Sequence, residues 1–463
     1  MLYFNRTKVT SVIIVLLLLA AISVFLISFR YNQNKPNVIL ITIDALRADH
    51  LSCHGYKRQT STNIDALAIE GTAFTNCYSV STATAASTPS LMTGRYLGIN
   101  DIHAFFNSVL DKRFTTLAEY LKNAGYYTTA FFNNGNYRWG TGFEQGFDYY
   151  KDYAKIHGDA EAITNDISDF LNKRSGHKPF FIWAHYINVH APYNAPEKYV
   201  NAFEGDELWV KNGKKLNVNP KPEAEPDDSW GFIPKVVFRE DKYYCNYYIA
   251  RYDAAIRYTD SHIKKLFRKI PENTLVVLTA DHGEFLGEHN SYFCHGGNIY
   301  DAVLHIPLII KDDKYFKKGG KISMPVSSVD IVPTILSRIN PIWYFFNKSK
   351  FDGIDLKRNL EGSNIRRKYI YSYAEGSMGI RDVNKNVKYI LNGGGEEELY
   401  FLPDEDNNLI ENDSKAVISI KKELVDNLKI WLKDYPVSCD INPAEASLNE
   451  ETEENLRSLG YLH

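Results

Sequence analysis

The chain has 463 residues, a formal net charge of -3 and the hydrophobic and charged fractions of an ordinary globular protein, enough for one large α/β domain with an appended subdomain. So balanced a charge gives no support to a polyanionic partner, and nucleic-acid binding is set aside. Five cysteines without a CxxC spacing argue against a zinc ribbon, a thioredoxin-type pair or a dense disulfide framework; one bridge stays open, with Cys53 and Cys77 nearest in sequence.

Residues 11–29 carry no charge and as a helix would cross about 28 Å of hydrocarbon. With no small-x-small site just after them, they read as an uncleaved signal anchor, residues 1–36 forming anchor and linker. No second span follows, so everything after Lys35 is expected on one side of the membrane, outside. Residues 37–43 are an apolar strand ending on the carboxylate of Asp44. His50 and His54 lack ligand-like spacing and read as surface or packing residues, and residues 61–71 carry a helix start and a glycine stop. The run of small and hydroxyl residues from Ser79 to Tyr96 has two readings, a flexible linker or a loop and helix start that approach an ion and an anion closely. In the second, a hydroxyl becomes a nucleophile once a metal lowers its pKa.

Residues 117–123 predict a helix and 127–132 a strand, which sets a βαβ alternation and a largely parallel sheet with helices on both faces. Residues 180–185 repeat the buried strand with a polar end, and His190-Ala191-Pro192-Tyr193 follows in a stiffened loop. Residues 204–226 lack periodicity and read as an exposed insertion or lid. A helix over 250–265 leads into the strand 274–279, which stops on Asp281 and His282 side by side. At a strand's C-terminal end this is either a metal-ligand pair facing the crevice or a helix cap beside a surface histidine. His289 and His295 fall close behind it. A strand at 306–310 and a helix at 329–336 complete a domain over 37–341. Strands near 368–373, 387–391 and 398–402 and a helix over 417–432 form a smaller α+β subdomain within 342–463, and residues 450–463 read as a docking helix.

Several runs occur in the order of a known family: 38–49, 63–74, Thr93-Gly94-Arg95, His190-Ala191-Pro192-Tyr193, Asp281-His282-Gly283-Glu284, 306–310, 330–334, Glu398-Leu399-Tyr400 and Leu459-Gly460-Tyr461-Leu462. From Asn37 onward the chain resembles the sulfatase branch of the alkaline phosphatase superfamily. The resemblance implies a three-layer α/β/α sandwich with a smaller C-terminal α+β subdomain, preceded here by one transmembrane helix. It implies hydrolysis or transfer of sulfate or phosphate ester groups by a hydroxyl nucleophile and a divalent metal. Carried over by position, Asp44 matches the first metal carboxylate, Asp281 and His282 the second ligand pair, and His190 the histidine on the bound anion. His295 matches the residue near the leaving group, with His289 a weaker candidate.

The departure comes at the nucleophile. Formylglycine sulfatases begin this motif with Cys or Ser in Cys/Ser-x-Pro-x-Arg, and no such run exists here. The family spacing back from Thr93-Gly94 lands on Thr84, with Ala86 and Thr88 at the Pro and Arg places. Thr cannot become formylglycine, so Thr84 is expected to attack directly and to be a fourth metal ligand; Ser87 is the rival. Asp44-Ala45 in place of paired aspartates, with an imidazole at His282, favours Mn²⁺ or Zn²⁺ over Ca²⁺ or Mg²⁺. The expected activity is an anchored metal-dependent hydrolase of sulfate or phosphate esters, glycan- or lipid-linked. The alternatives are a transferase moving a phospho-alcohol from lipid to a surface glycan, and an inactive binding protein of the same fold.

Overall fold

Seven residues, Asn37–Ile43, form β1, and every one after the first is buried. β-Branched and leucine side chains suit a strand covered on both faces, which is why the run shows no polar alternation. The computed structural model describes residues 14–15, 35–97, 109–153, 160–174, 178–205, 207–216, 237, 239, 242–360, 367–374 and 376–435. The expected span 11–29 lies outside these apart from residues 14–15, as does the tail at 450–463. None of the described helices is long and apolar enough to cross a membrane. Of the insertion at 204–226, the described part includes a short helix, Glu207–Lys211.

The large sheet takes β1, β2 (Thr72–Tyr78), β3 (Tyr127–Phe132), β4 (Tyr149–Asp152), β5 (Phe180–Tyr186) and β6 (Thr274–Thr279). The hairpin β7 (Phe285–Leu286) and β8 (Tyr292–Cys294) stands apart, and β9 (His305–Lys311), β10 (Gly320–Ile322) and β11 (Val326–Ser327) return to the large sheet. Its order is β10-β2-β9-β6-β1-β5-β3-β4, with β11 also on β2. β9 runs antiparallel to both β2 and β6 while the other pairings are parallel, so the sheet is largely parallel, as expected, with one reversed strand. An apolar run reads the same in either direction, and the sequence of β9 carries no sign of its sense.

Helices in two groups cover this sheet. α1 (Thr62–Glu70) and α4 (Ala160–Lys173) pack with α5 (Cys245–Phe267), while α2 (Thr84–Thr93) and α3 (Leu117–Asn123) pack with α6 (Ile331–Ile339). A second, antiparallel sheet runs β12 (Tyr369–Ala374), β13 (Ser377–Asp382), β14 (Val387–Asn392), β15 (Glu397–Phe401), and α7 (Lys415–Asp434) lies against it. Tyr344, Phe351 and Leu356 still belong to the core of the large sheet. The second sheet begins at Tyr369. The two sheets meet through the Tyr373 amide, which donates to Val80 O at 2.9 Å. Arg381 also lies over the Tyr78 ring at 3.8 Å while paired to Asp301.

Cys53, Cys77, Cys245 and Cys294 are all free. The open bridge between Cys53 and Cys77 is not formed.

Candidate active site

Strand register brings the site together. β1 pairs in parallel with β6 and with β5, setting Thr42 opposite both Thr279 and His185. Two residues further along, Asp44 and Asp281 leave their strands side by side. β3 pairs with β5 so that Phe132 lies opposite His185, and Asn134, again two residues on, reaches the same edge. This is the crevice beyond the carboxyl ends of strands where α/β sheets bind ligands.

Asp44 is fully buried. Its Oδ2 accepts from Asn134 Nδ2 at 2.7 Å and faces His185 Nε2 at 3.3 Å. The His185 tautomer follows from its other side. Trp183 Nε1 donates to Thr42 Oγ1 at 2.9 Å, and Thr42 Oγ1 lies 2.8 Å from His185 Nδ1. With the Thr42 hydroxyl donating to Nδ1, the ring proton sits on Nε2 and points at the carboxylate. Both donors thus fall on one oxygen, and Asp44 Oδ1 is buried without a hydrogen-bond partner. Burial works to raise the Asp44 carboxyl, but the neighbouring His190, the hydrogen bond and proximity of His185, and His282 hold it below the usual carboxylate range.

Asp281 Oδ1 accepts from the amides of His282 at 3.0 Å and Ala45 at 3.3 Å, which turns Oδ2 towards Asp44. His282 Nδ1 donates to Gly283 O at 2.8 Å, so Nε2 presents its lone pair, 3.7 Å from Asp44 Oδ1 and 3.6 Å from Asp281 Oδ2. Gly283 fits because a Cβ there would stand 2.5 Å from Ala302 O. Burial works to lower the His282 pKa, but Asp281 and Asp44 outweigh it and raise it.

Thr84 completes the group. Its Oγ1 donates to Asp281 Oδ2 at 2.9 Å and lies 3.1 Å from His282 Nε2. It is the first residue of α2, whose preceding residue, Ala83, offers no side-chain cap. An uncapped helix start directs backbone N–H groups and partial positive charge outward, the arrangement that suits an anion. Ser87, the rival hydroxyl, is buried one turn further into α2, and its Oγ has no hydrogen-bond partner. Thr88, at the family's arginine place, bonds the Tyr137 hydroxyl at 2.9 Å.

His190 and His295 stand beside this group. His190 Nδ1 donates to Ala191 O at 2.8 Å, and its ring lies 4.8 Å from that of His295, which is 4.3 Å from His282. The β7–β8 hairpin returns His295 to Glu284, whose Oε1 lies 2.9 Å from His295 Nδ1 and whose Oε2 accepts from Tyr193 at 3.0 Å. Burial, then His282, pushes His295 down to about 3, and burial pushes Glu284 up to about 7. Burial likewise holds His190 below its usual range. His289 is not brought in; its ring stacks on Tyr300 at 3.6 Å. Arg47 is occupied by Asp49, Glu288 and Glu284 O. His50 pairs with Asp253 in the packing of α5.

Asp44, Asp281 and His282 each offer a ligand atom within 4.8 Å of the others, all buried. These are acceptor atoms facing one another, with one buried oxygen unpartnered, and such a donor set fits a divalent cation. Each of the three histidines has its Nδ1 tied to a carbonyl or carboxylate, as in metal and anion sites that present Nε2. Asn134, His185 and Glu284 received no role from the sequence. Asn134 stands in an Asn-Asn-Gly run that signals only a turn; Glu284 stood in the motif without an assigned partner.

The sulfatase family model matches residues 36–340. An N-acetylglucosamine-6-O-sulfatase of Bacteroides thetaiotaomicron is 25% identical over 87% of this chain and 87% of its own length. An arylsulfatase of Clostridium perfringens is 24% identical over 87% and 98%. Among solved structures, the phosphonate monoester hydrolase of Agrobacterium radiobacter superposes with a TM-score of 0.67 at 20% identity, covering 87% of this chain and 96% of its own. A protein solved in complex with its substrate, D-glucosamine-2-N,6-O-disulfate, gives 0.70 at 23%, covering 89% and 100%. At these identities the structural likeness speaks for the fold alone.

Proposed function

The chain belongs to the sulfatase family and is a hydrolase of sulfate or phosphate esters; from that premise we propose that Thr84 is its nucleophile and a divalent cation its cofactor. The observation that carries this is the position of Thr84 Oγ1, between Asp281 Oδ2 and His282 Nε2 at an uncapped helix start. Asp44, Asp281, His282 and Thr84 would hold the cation, of the Mn²⁺ or Zn²⁺ type. When bound, it supplies positive charge that neutralises ester oxygens and makes the Thr84 hydroxyl more acidic.

Thr84 Oγ1 forms a bond to phosphorus or sulfur as the bond to the alcohol oxygen breaks. The Thr84 proton, which Asp281 Oδ2 accepts here, is lost to solvent before the attack, because that carboxylate oxygen would be a ligand of the cation. A histidine gives the alcohol oxygen its proton. Nδ1 of His190 and of His295 is committed to Ala191 O and Glu284, so Nε2 carries that proton. The negative charge of a bound ester works against the burial that keeps these imidazoles neutral. Water then cleaves the Thr84 ester with the same histidine as base. The N–H groups at the start of α2 orient the ester oxygens.

The sugar-sulfate relatives support a glycan-linked ester as substrate, and residues 11–29 support a catalytic domain held outside a membrane by one span. The test is metal analysis of the purified chain with a panel of sulfate and phosphate esters. The expected result is bound Mn or Zn and turnover of phosphate esters, abolished in Thr84→Ala. A metal-free chain inert on the whole panel, with or without added cations, overturns the proposal.

A further inference from the structure

The helix Pro341–Asn347 carries two aromatic side chains outward. It starts where the Trp343 amide donates to the Asn340 side chain, and it buries Tyr344, stacked on Phe351. The next two residues, Phe345 and Phe346, are 51% and 76% exposed. Adjacent exposed phenylalanines on an ordered helix forgo the burial that drives folding, and such patches mark contact surfaces. Exposed Lys348 and Lys350 follow, their ammonium groups 5.6 Å from the Phe345 ring and 5.7 Å from the Trp343 ring.

The position of this helix says what covers it. Trp343 packs on Tyr120 of α3, ring centres 5.3 Å apart. Four residues on, the carbonyl of Ala124 accepts from Lys35 Nζ at 2.8 Å, and the Tyr126 hydroxyl donates to Pro36 O at 2.8 Å. Lys35 and Pro36 are where the chain arrives from the apolar run 11–29. The aromatic helix thus packs on α3, and the arrival point contacts the residues just past its C-terminal end, Ala124 lying about 6 Å from Tyr120 along the helix axis. A second copy of the chain would also cover the phenylalanines, but a twofold contact there would set Lys348 and Lys350 against their own copies.

We infer that Pro341–Asn347 rests in the headgroup layer of the bilayer that holds residues 11–29. Phe345 and Phe346 enter the acyl boundary, and Lys348 and Lys350 meet anionic phospholipid headgroups. The inference rests on the single-span reading above and adds a folded contact that fixes how the domain stands on the membrane.

The test uses the full chain in vesicles of phosphatidylcholine and phosphatidylglycerol. A photoreactive benzoylphenylalanine replaces Phe346 in one preparation and, in another, Trp139, which is 67% exposed beyond the end of β3. Flotation after an alkaline wash reports the span separately. About tenfold more phospholipid adduct is expected at 346 than at 139, falling several-fold in Lys348→Ala/Lys350→Ala or in neutral vesicles. A chain that floats but gives equal or no lipid adduct overturns the docking while the span stands. Chain-to-chain adducts at 346 overturn it in favour of a second copy, and a chain that does not float overturns both.

Discussion

Asn134 and His185 both address the same oxygen of Asp44, at 2.7 and 3.3 Å, and leave the other oxygen unpartnered in the interior. The two donors fix the plane of the carboxylate and so aim Oδ1 at Asp281 and His282. Asn134→Ala and His185→Phe are therefore expected to weaken cation binding about 10- to 100-fold, the usual loss for such outer partners. Calorimetric titration of metal into chelator-stripped protein measures this. Activity returning at high metal concentration separates aiming from chemistry, and unchanged affinity in both variants contradicts the role.

Thr84→Ala is expected to lower kcat by about 10⁴-fold or more, as for other lost nucleophiles, with Thr84→Ser retaining part of it. Ser87→Ala should stay within a few-fold of the parent. Rapid quench with a phosphate ester should trap a covalent adduct, and mass spectrometry of its peptide should place the modification on Thr84. An adduct on Ser87 would reverse the assignment.

His295 is expected to matter most for poor leaving groups. In His295→Ala, turnover of an alkyl ester should fall about 10²- to 10⁴-fold, while an ester of an acidic phenol, which needs no proton to leave, falls far less. A rate series against leaving-group pKa reads this as a steeper slope. An equal loss across the series would make His295 a binding residue only.

Gly379 and Arg381 test the seam between the two sheets. A Cβ at Gly379 would stand 2.6 Å from Ile299 Cδ1, so Gly379→Ala should destabilise by about 1–3 kcal/mol. Arg381→Leu removes one of the two cations paired to Asp301, whose side chain keeps some solvent contact and the Lys388 ammonium at 3.0 Å, for about 1–2 kcal/mol. Urea unfolding with a fixed m-value checks both. Losses below about 0.5 kcal/mol would show that the seam does not bear on stability.

The ligand candidates were legible because strand ends announce themselves. A long apolar run that stops on a carboxylate, as at Asp44 and Asp281, identifies both the element and its tip. Their partners were not legible, because Asn134 joins Asp44 only through the register of β3 on β5 and β5 on β1. β13 was missed for a different reason. Ser377-Met378-Gly379-Ile380-Arg381-Asp382 puts a glycine and an inward arginine where alternation should be, since its arginine pairs across the seam instead of meeting water. Thr84 became legible through the family's spacing and not through its own surroundings in sequence.

β1 joins the place where the chain arrives, at Lys35 and Pro36, to the first ligand carboxylate at Asp44. Its seven residues make a rod of about 23 Å. Under the single-span reading proposed above, and with β1 standing along the bilayer normal, that rod would be a fixed spacer taller than the layer of lipid headgroups, which is about 6 Å deep on each side. Ester groups on the membrane's own lipids would then lie below the reach of Thr84. What would come within range is a molecule that diffuses past or a polymer that projects from the surface, so the height of the spacer itself would filter substrates.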